Sequence, residues 1–421
     1  MTVTTGKLPL KLSALVAILS LSLVVNLPGL AITPMLGTLS KVFPHTTQLE
    51  KQLLTMLPNL LIIPCLLLSG RLSLSRHKIS IVVVSLIIYA LCGILYLFST
   101  SMVELIVISC LLGVGAGLLI PFSTGLLADT FAGPYRMKQM GLQSAISNMT
   151  LVCATYAVGL LSHGNWHLPF VVYLIPLIPL AISPFLRKIP VEDLYGTTSS
   201  DSTGSSATAN SCQAASHSTG ASEKGGFIYS RLFAAIGVYF FVTFSSIVIS
   251  YYCPFLVEKE HWSSSLTGTI TAIYFFFIFI PGFCLSPILK TLKQSTLIVS
   301  TLSLLAGLAL FAFVRTEWAM MVGAAFIGAG YGIYQPVLYN KATFTVTDPR
   351  KSTMALALVL IANYGAIAIA PVIIDGIRSL LHAGGVTGFA FILNFVLTAL
   401  FAVIVLIFRK SFIFSISKCD V

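Results

Sequence analysis

Runs of about twenty apolar residues, separated by short polar turns, occupy most of the chain. They lie at 12–34, 53–70, 79–98, 103–127, 140–161, 169–186, 232–256, 266–289, 295–314, 319–344, 353–374 and 387–408. A helix rises 1.5 Å per residue, so such a run can cross roughly 30 Å of hydrocarbon with its backbone polar groups satisfied internally. The pattern predicts an all-α membrane protein with twelve transmembrane helices. The first run follows Lys7 and Lys11 as a signal peptide would, but it is too long for one and eleven more runs follow, so it is read as the first span.

The runs come in two matching sets. Gly113, Gly115, Gly117 and Pro121 stand in LLGVGAGLLIP, and Gly328, Gly330, Gly332 and Pro336 in FIGAGYGIYQP; both read G-x-G-x-G-x-x-x-P at an offset of 215. The same offset pairs Arg136 with Lys351 and Asn148 with Asn363, and a looser match at 217 pairs Ile63-Pro64 and Ser69 with Ile280-Pro281 and Ser286. The chain therefore reads as two copies of one six-helix unit. Successive helical residues turn by about 100°, so alternate glycines do not share a face. They thin a broad sector for close approach by neighbouring helices, and the proline after them bends the helix.

Composition sharpens this picture. The chain is 57% hydrophobic and 9% charged, against about 25% charged in a soluble domain, which excludes a soluble globule. With both termini cytosolic, 19 of the 24 Lys and Arg residues fall on the cytosolic side, while the 13 acids split 7 to 6, the basic-residue bias that sets orientation. The location implied is the cytoplasmic membrane. The net charge of +11 then reports topology and attraction to anionic lipid, not a nucleic-acid partner. Between residues 191 and 230 the sequence turns to Ser, Thr, Ala and Gly, too few large apolar side chains to order itself. The expected organisation is a bundle over 1–190, a disordered cytoplasmic linker over 191–230 and a second bundle over 231–421. The eight cysteines lack C-x-x-C spacing and read as apolar fillers. His163 and His167 flank Trp166 without a carboxylate, so no metal site is expected, and no cofactor.

The turn after the second run carries Gly70, Leu72 and Lys78, which match the G-x-L-x-D-R-x-G-R-R signature that it resembles, that of the major facilitator superfamily, with Leu74 at the aspartate position and His77 at the second glycine. Gly113 and Gly115 resemble the tail of the family's helix 4 motif, with Ser109 at its arginine position. Gly159, Trp166 and Phe170 are similar to the outer end of helix 5 in drug-exporting members, although the Gly-Pro pair of antiporters is missing and Cys153-Ala154 stands near that place. The resemblance implies two pseudo-symmetric six-helix bundles around a central cavity lined by helices 1, 4, 7 and 10, with 5, 8 and 11 alongside. Carried onto this sequence, it gives Asn26, Ser123, Thr124, Asn148, Tyr239, Thr243, Tyr331, Gln335, Tyr339 and Asn363 as candidate substrate contacts. It also gives Gly70, Arg71, Arg76, Lys78 and Asp129 as a cytoplasmic gate, with Asp129 a partner for Arg76.

No Asp, Glu, Lys or Arg falls at the middle of a run, where each would be costly and functional. The expected cavity is neutral and offers amides, hydroxyls and phenols between apolar walls. A strongly anionic substrate would want a buried Arg or Lys. The expected function is transport of a small organic molecule by alternating access, leaning to export of lipophilic or amphipathic compounds on the aromatic content and the helix 5 loop. The alternative is an uptake carrier or facilitator for a neutral polar metabolite, on the missing arginine and antiporter proline. The expected partners are the small-molecule substrate and membrane lipid, with a coupling proton left open, and the expected state is a monomer. A membrane enzyme is disfavoured, because no clustered carboxylates, His pair or nucleophile with its base is found.

Overall fold

The computed structural model describes residues 2–3, 10–28, 31, 39, 42–43, 48–73, 78–161, 166–188, 223–224, 227–262, 264–314, 316–348, 351–381 and 386–415. Among them, twelve helical segments fall on the twelve predicted runs. These are α1 (Leu12–Ser20, continued by a 3-10 turn over Leu21–Val24), α2 (Gln48–Leu72), α3 (Lys78–Phe98), α4 (Met102–Thr130), α5 (Gly133–Leu161) and α6 (Leu168–Leu186). The second half supplies α7 (Tyr229–Lys259), α8 (Ser264–Phe283), α9 (Thr296–Phe313), α10 (Glu317–Thr343), α11 (Ser352–Leu380) and α12 (Val386–Ile407). With an even number of helices per half, the start of α1, the end of α6, the start of α7 and the end of α12 share one side, the linker side. Of residues 191–230, those described outside α7 are 223–224 and 227–228, which form a two-residue antiparallel pair; the rest of the predicted linker lies outside the described residues.

Local chemistry explains where the elements depart from twelve uniform rods. The run at 169–186 is a composite of 3-10 turns over Leu168–Leu174 and Ser183–Lys188 around a short α-helix, Leu177–Ile182. Pro169, Pro176, Pro179 and Pro184 each withhold a backbone donor, which rules out an unbroken i→i−4 ladder. The run at 266–289 breaks at Cys284 and resumes as a short helix, Leu285–Leu292, because Pro287 cannot donate to the carbonyl of Phe283. α5 starts seven residues before its predicted boundary, at Gly133 with φ +55°, a conformation that glycine adopts freely, and Pro134 follows in the first turn.

The duplication holds at the level of contacts. Ser101 caps α4 through a reciprocal box with Glu104, and Thr316 caps α10 by accepting from the Ala319 amide, again 215 residues apart. In α4, a Cβ at Gly113 would stand 2.6 Å from the Pro58 carbonyl oxygen, and one at Gly117 2.9 Å from that of Ile62, both on α2. The side of Gly115 is pressed instead against Ile88 and Tyr89 of α3. In α10, Gly328 and Gly332 lie in the same way on the Tyr274 and Ile278 carbonyls of α8, and Gly330 on Ser300 of α9. Two alternate glycines thus serve one neighbour and the glycine between them serves another, as the 100° turn requires. The contacts relate Pro58 to Tyr274 and Ile62 to Ile278, an offset of 216, one residue from the looser register read in the sequence.

In these seats backbone, not a flexible side-chain tip, stands in the way of a methyl group. Gly113→Ala and Gly328→Ala should each cost about 1–3 kcal/mol through overpacking and lower the thermal midpoint of the detergent-purified protein by several degrees. Gly237→Ala in α7, where nothing lies within 4 Å of the added methyl, should leave the midpoint unchanged or slightly raised. Equal midpoints for all three variants would contradict this packing.

Candidate functional site

At mid-height the two halves enclose a cavity of about 60 Å³, room for a few waters. Its polar lining is Asn26 of the segment after α1, Asn59 of α2, Asn148 of α5, Thr243 and Ser246 of α7, Tyr274 of α8, Tyr331 and Gln335 of α10, and Asn363 and Tyr364 of α11. Val25, Pro28, Leu151, Ile247, Phe275, Ile278 and Ile367 complete the wall. None of these lining residues is Asp, Glu, His, Lys or Arg. The repeat mates Asn148 and Asn363 face the cavity from opposite halves.

Six of the ten candidate contacts therefore meet here: Asn26, Asn148, Thr243, Tyr331, Gln335 and Asn363. The other four are not among the lining residues, and their partners explain why. Ser123 and Thr124 both accept from the Gln143 amide, at 3.2 and 2.7 Å, and so tie α4 to α5. Tyr239 and Tyr339 hold each other, with hydroxyls 3.1 Å apart and rings edge to face. Composition and helix number do not distinguish a polar side chain spent on a neighbour from one left facing the cavity. Asn59, Ser246, Tyr274 and Tyr364 are lining residues not among the candidates. Asn59 carried a readable signal, since it follows Pro58, whose carbonyl meets Gly113.

The cavity is wired internally. The carboxamide oxygen of Asn363 accepts from Thr243 at 2.9 Å and from Tyr331 at 3.1 Å, so α7, α10 and α11 are bound at one atom. Asn26 donates to the oxygen of Asn148 at 3.3 Å. The Asn148 amide donates to the Ser144 carbonyl at 2.7 Å and to the Gln335 oxygen at 3.4 Å, while the Ser144 hydroxyl donates to that same oxygen at 2.7 Å. Gln335 in turn donates to the Tyr339 hydroxyl at 3.1 Å. Ser144 and Asn148 belong to the first half and Gln335 to the second, so the floor of the cavity is a hydrogen-bonded seam.

Below the floor, toward the linker side, the halves are packed shut. A Cβ on Gly70 would come within 3.2 Å of Ala357, and one on Gly141 within 2.6 Å of the Gly282 carbonyl oxygen, which seats α2 on α11 and α5 on α8. Lys78 and Asp129 form a buried ion pair at 2.9 Å, with side chains 8% and 3% exposed. The other Asp129 oxygen accepts from Ser352 of α11 at 2.9 Å, so one carboxylate joins the halves. Arg136 bonds the Phe131 carbonyl at 2.9 Å and crosses to the Thr343 hydroxyl at 2.7 Å. Of the candidate gate, Gly70, Lys78 and Asp129 are thus in this seam, Arg71 is exposed, and Arg76 lies outside the described residues. The predicted contact of Arg76 with Asp129 therefore also lies outside the described residues, among which Asp129 pairs with Lys78. His167 donates from Nε2 to the Ser99 carbonyl at 2.9 Å beside Trp166, and His163 lies outside the described residues.

Removing one member of a buried pair leaves the other charge desolvated, at a cost of about 3–5 kcal/mol. Lys78→Met and Asp129→Asn should each lower the thermal midpoint substantially, and the double variant should recover much of the loss. A double variant less stable than either single one would refute the pairing.

The family model described as Major Facilitator Superfamily matches residues 12–371. No curated protein matches the chain. Among solved structures, the human organic anion transporter MFSD10 (TETRAN) superposes with a TM-score of 0.67 at 16% identity, covering 91% of this chain and 99% of that one. The proton:xylose symporter XylE, bound to 6-bromo-6-deoxy-D-glucose, superposes with a TM-score of 0.71 at 13% identity, covering 97% and 98%. At these identities the likeness is one of fold. With the family match spanning most of the chain and two halves closing on a central cavity, the chain belongs to the major facilitator superfamily of membrane transporters.

Proposed function

We propose that this transporter carries a small, uncharged, hydrogen-bonding molecule across the cytoplasmic membrane by alternating access of its two halves. The observation that carries the reading is the lining: five side-chain amides and five hydroxyl groups, with no ionisable carboxylate, imidazole, ammonium or guanidinium among them. Amides offer donors and acceptors but no counter-ion, so they suit hydroxyl, carbonyl or amide groups on the cargo. An organic anion, the substrate class in the name of one structural neighbour, would meet no cation there. A proton carried through this cavity would likewise find no carboxylate or imidazole in the lining, so coupling to a proton gradient is not part of the proposal.

The basic-residue bias puts the linker side in the cytosol, and the seam of Gly70, Lys78, Asp129 and Arg136 is then the cytoplasmic gate, closed in this conformation. Export of small amphipathic compounds is the second reading. It draws on the rings of Tyr274, Phe275, Tyr331 and Tyr364 in the wall, which give flat apolar faces beside the amides.

In proteoliposomes, uptake from a panel of radiolabelled neutral polar metabolites should show one class transported at a rate unchanged by an imposed pH gradient. Asn363→Ala should reduce that rate at least tenfold, since it frees Thr243 and Tyr331 as well as removing its own amide. A panel in which lipophilic cations or anions alone are transported would overturn the proposal.

A further inference from the structure

The cavity floor has two duties, lining the cavity and joining the halves. Gln335 lines the cavity, and its carboxamide oxygen also accepts from Ser144 at 2.7 Å and Asn148 at 3.4 Å, both across the boundary between the halves. Asn148 lines the cavity as well, while Ser144, one turn nearer the linker side, does not. A ligand thus cannot contact Ser144, but it can reach Asn148 and the Gln335 oxygen on which both bonds end. At 3.4 Å the Asn148–Gln335 bond is at the weak end of hydrogen-bond geometry, and a ligand group that accepts from Asn148 while donating to Gln335 replaces it with two shorter bonds.

We propose that Ser144, Asn148 and Gln335 form a latch between the halves which the cargo itself releases, and that release requires a cargo with a donor and an acceptor a few ångströms apart, such as a vicinal diol or an amide. This deepens, and rests on, the reading of the cavity as a site for uncharged hydrogen-bonding molecules. A ligand bearing acceptors alone satisfies Asn148 but leaves the Gln335 oxygen with Ser144, so it occupies the cavity without loosening the floor. The latch stands directly above the α5–α8 seat at Gly141 and Gly282, and its loss is felt there first. Neither Asn148 nor Gln335 requires an ionised partner in this scheme, so the device works without a change of protonation.

The experiment is hydrogen exchange followed by mass spectrometry on the full chain in lipid nanodiscs. Ser144→Ala removes a latch bond without altering a lining residue. One neutral hydrogen bond corresponds to an equilibrium shift of roughly 2- to 10-fold, and amide exchange at the linker-side ends of α5 and α8 should rise by that factor. Ser109→Ala is the control. It removes a buried hydroxyl that bonds Tyr96 at 2.6 Å within the first half, so it should lower the thermal midpoint without raising exchange at the α5–α8 seat. Equal exchange in the wild type and Ser144→Ala, or an equal rise in both variants, overturns the latch.

The cargo step is read on the wild type with a hexitol and a primary amide as paired donor–acceptor probes and 1,2-dimethoxyethane as an acceptor-only probe. The first two should raise exchange at the seat and the ether should not. Thermal stabilisation by a hexitol or amide without a rise in exchange overturns cargo release while leaving the cavity reading intact. No thermal shift with any of the three counts against the cavity reading and cargo release together, and the Ser144→Ala result still decides the latch.

Discussion

In hydrocarbon a leucine gains little by leaving lipid for the side of another helix, so the bundle depends on how closely backbones approach and on where polar groups find partners. The glycine-proline blocks of α4 and α10 supply the first of these. Each presents two glycines to one neighbour and the glycine between them to a second, and the seats are the same in both halves down to the capping hydroxyls of Ser101 and Thr316. Dispersion between close-packed backbones scales with contact, and a single methyl at these seats would hold the helices apart. The half-bundles are therefore defined by places where side chains are missing.

The joint between the halves follows a different rule. Small residues again allow approach, at Gly70 on Ala357 and Gly141 on Gly282, but the seam is closed by polar contacts: Lys78–Asp129–Ser352, Arg136–Thr343 and Ser144–Gln335. Such contacts are individually modest and can be exchanged for water or for ligand groups. A joint that must open is suited to them, just as a bundle that must hold is suited to packed glycine. The symmetry of the repeat is broken here. Phe344 stands at the repeat position of Asp129, and its ring receives Arg136 at 5.6 Å, so the carboxylate that ties the halves has no counterpart at that position in the second copy.

Asn26, Asn148, Thr243, Tyr331, Gln335 and Asn363 could be placed at the cavity because polar side chains in mid-helix lipid-facing positions are expensive, and helix number restricts which of them turn inward. Ser123, Thr124, Tyr239 and Tyr339 satisfy the same criteria. They are spent on Gln143 and on each other, a pairing across distant sequence that helix periodicity does not encode. Lys78, at the start of α3, pairs with Asp129, and boundary reading places that start only to within a few residues; Arg76 lies outside the described residues.

From the chain alone came the number of helical runs, the duplication, the lack of charge in the middle of those runs and the family, because each is written in local composition or in a fixed offset that survives without coordinates. Tertiary structure alone decided which amides face the cavity and which face each other, which neighbour each glycine seats, and that the floor of the cavity is also the joint between the halves. Those depend on the rotation of each helix about its own axis, and that rotation is set by the partners it finds in the fold, not by the residues it carries.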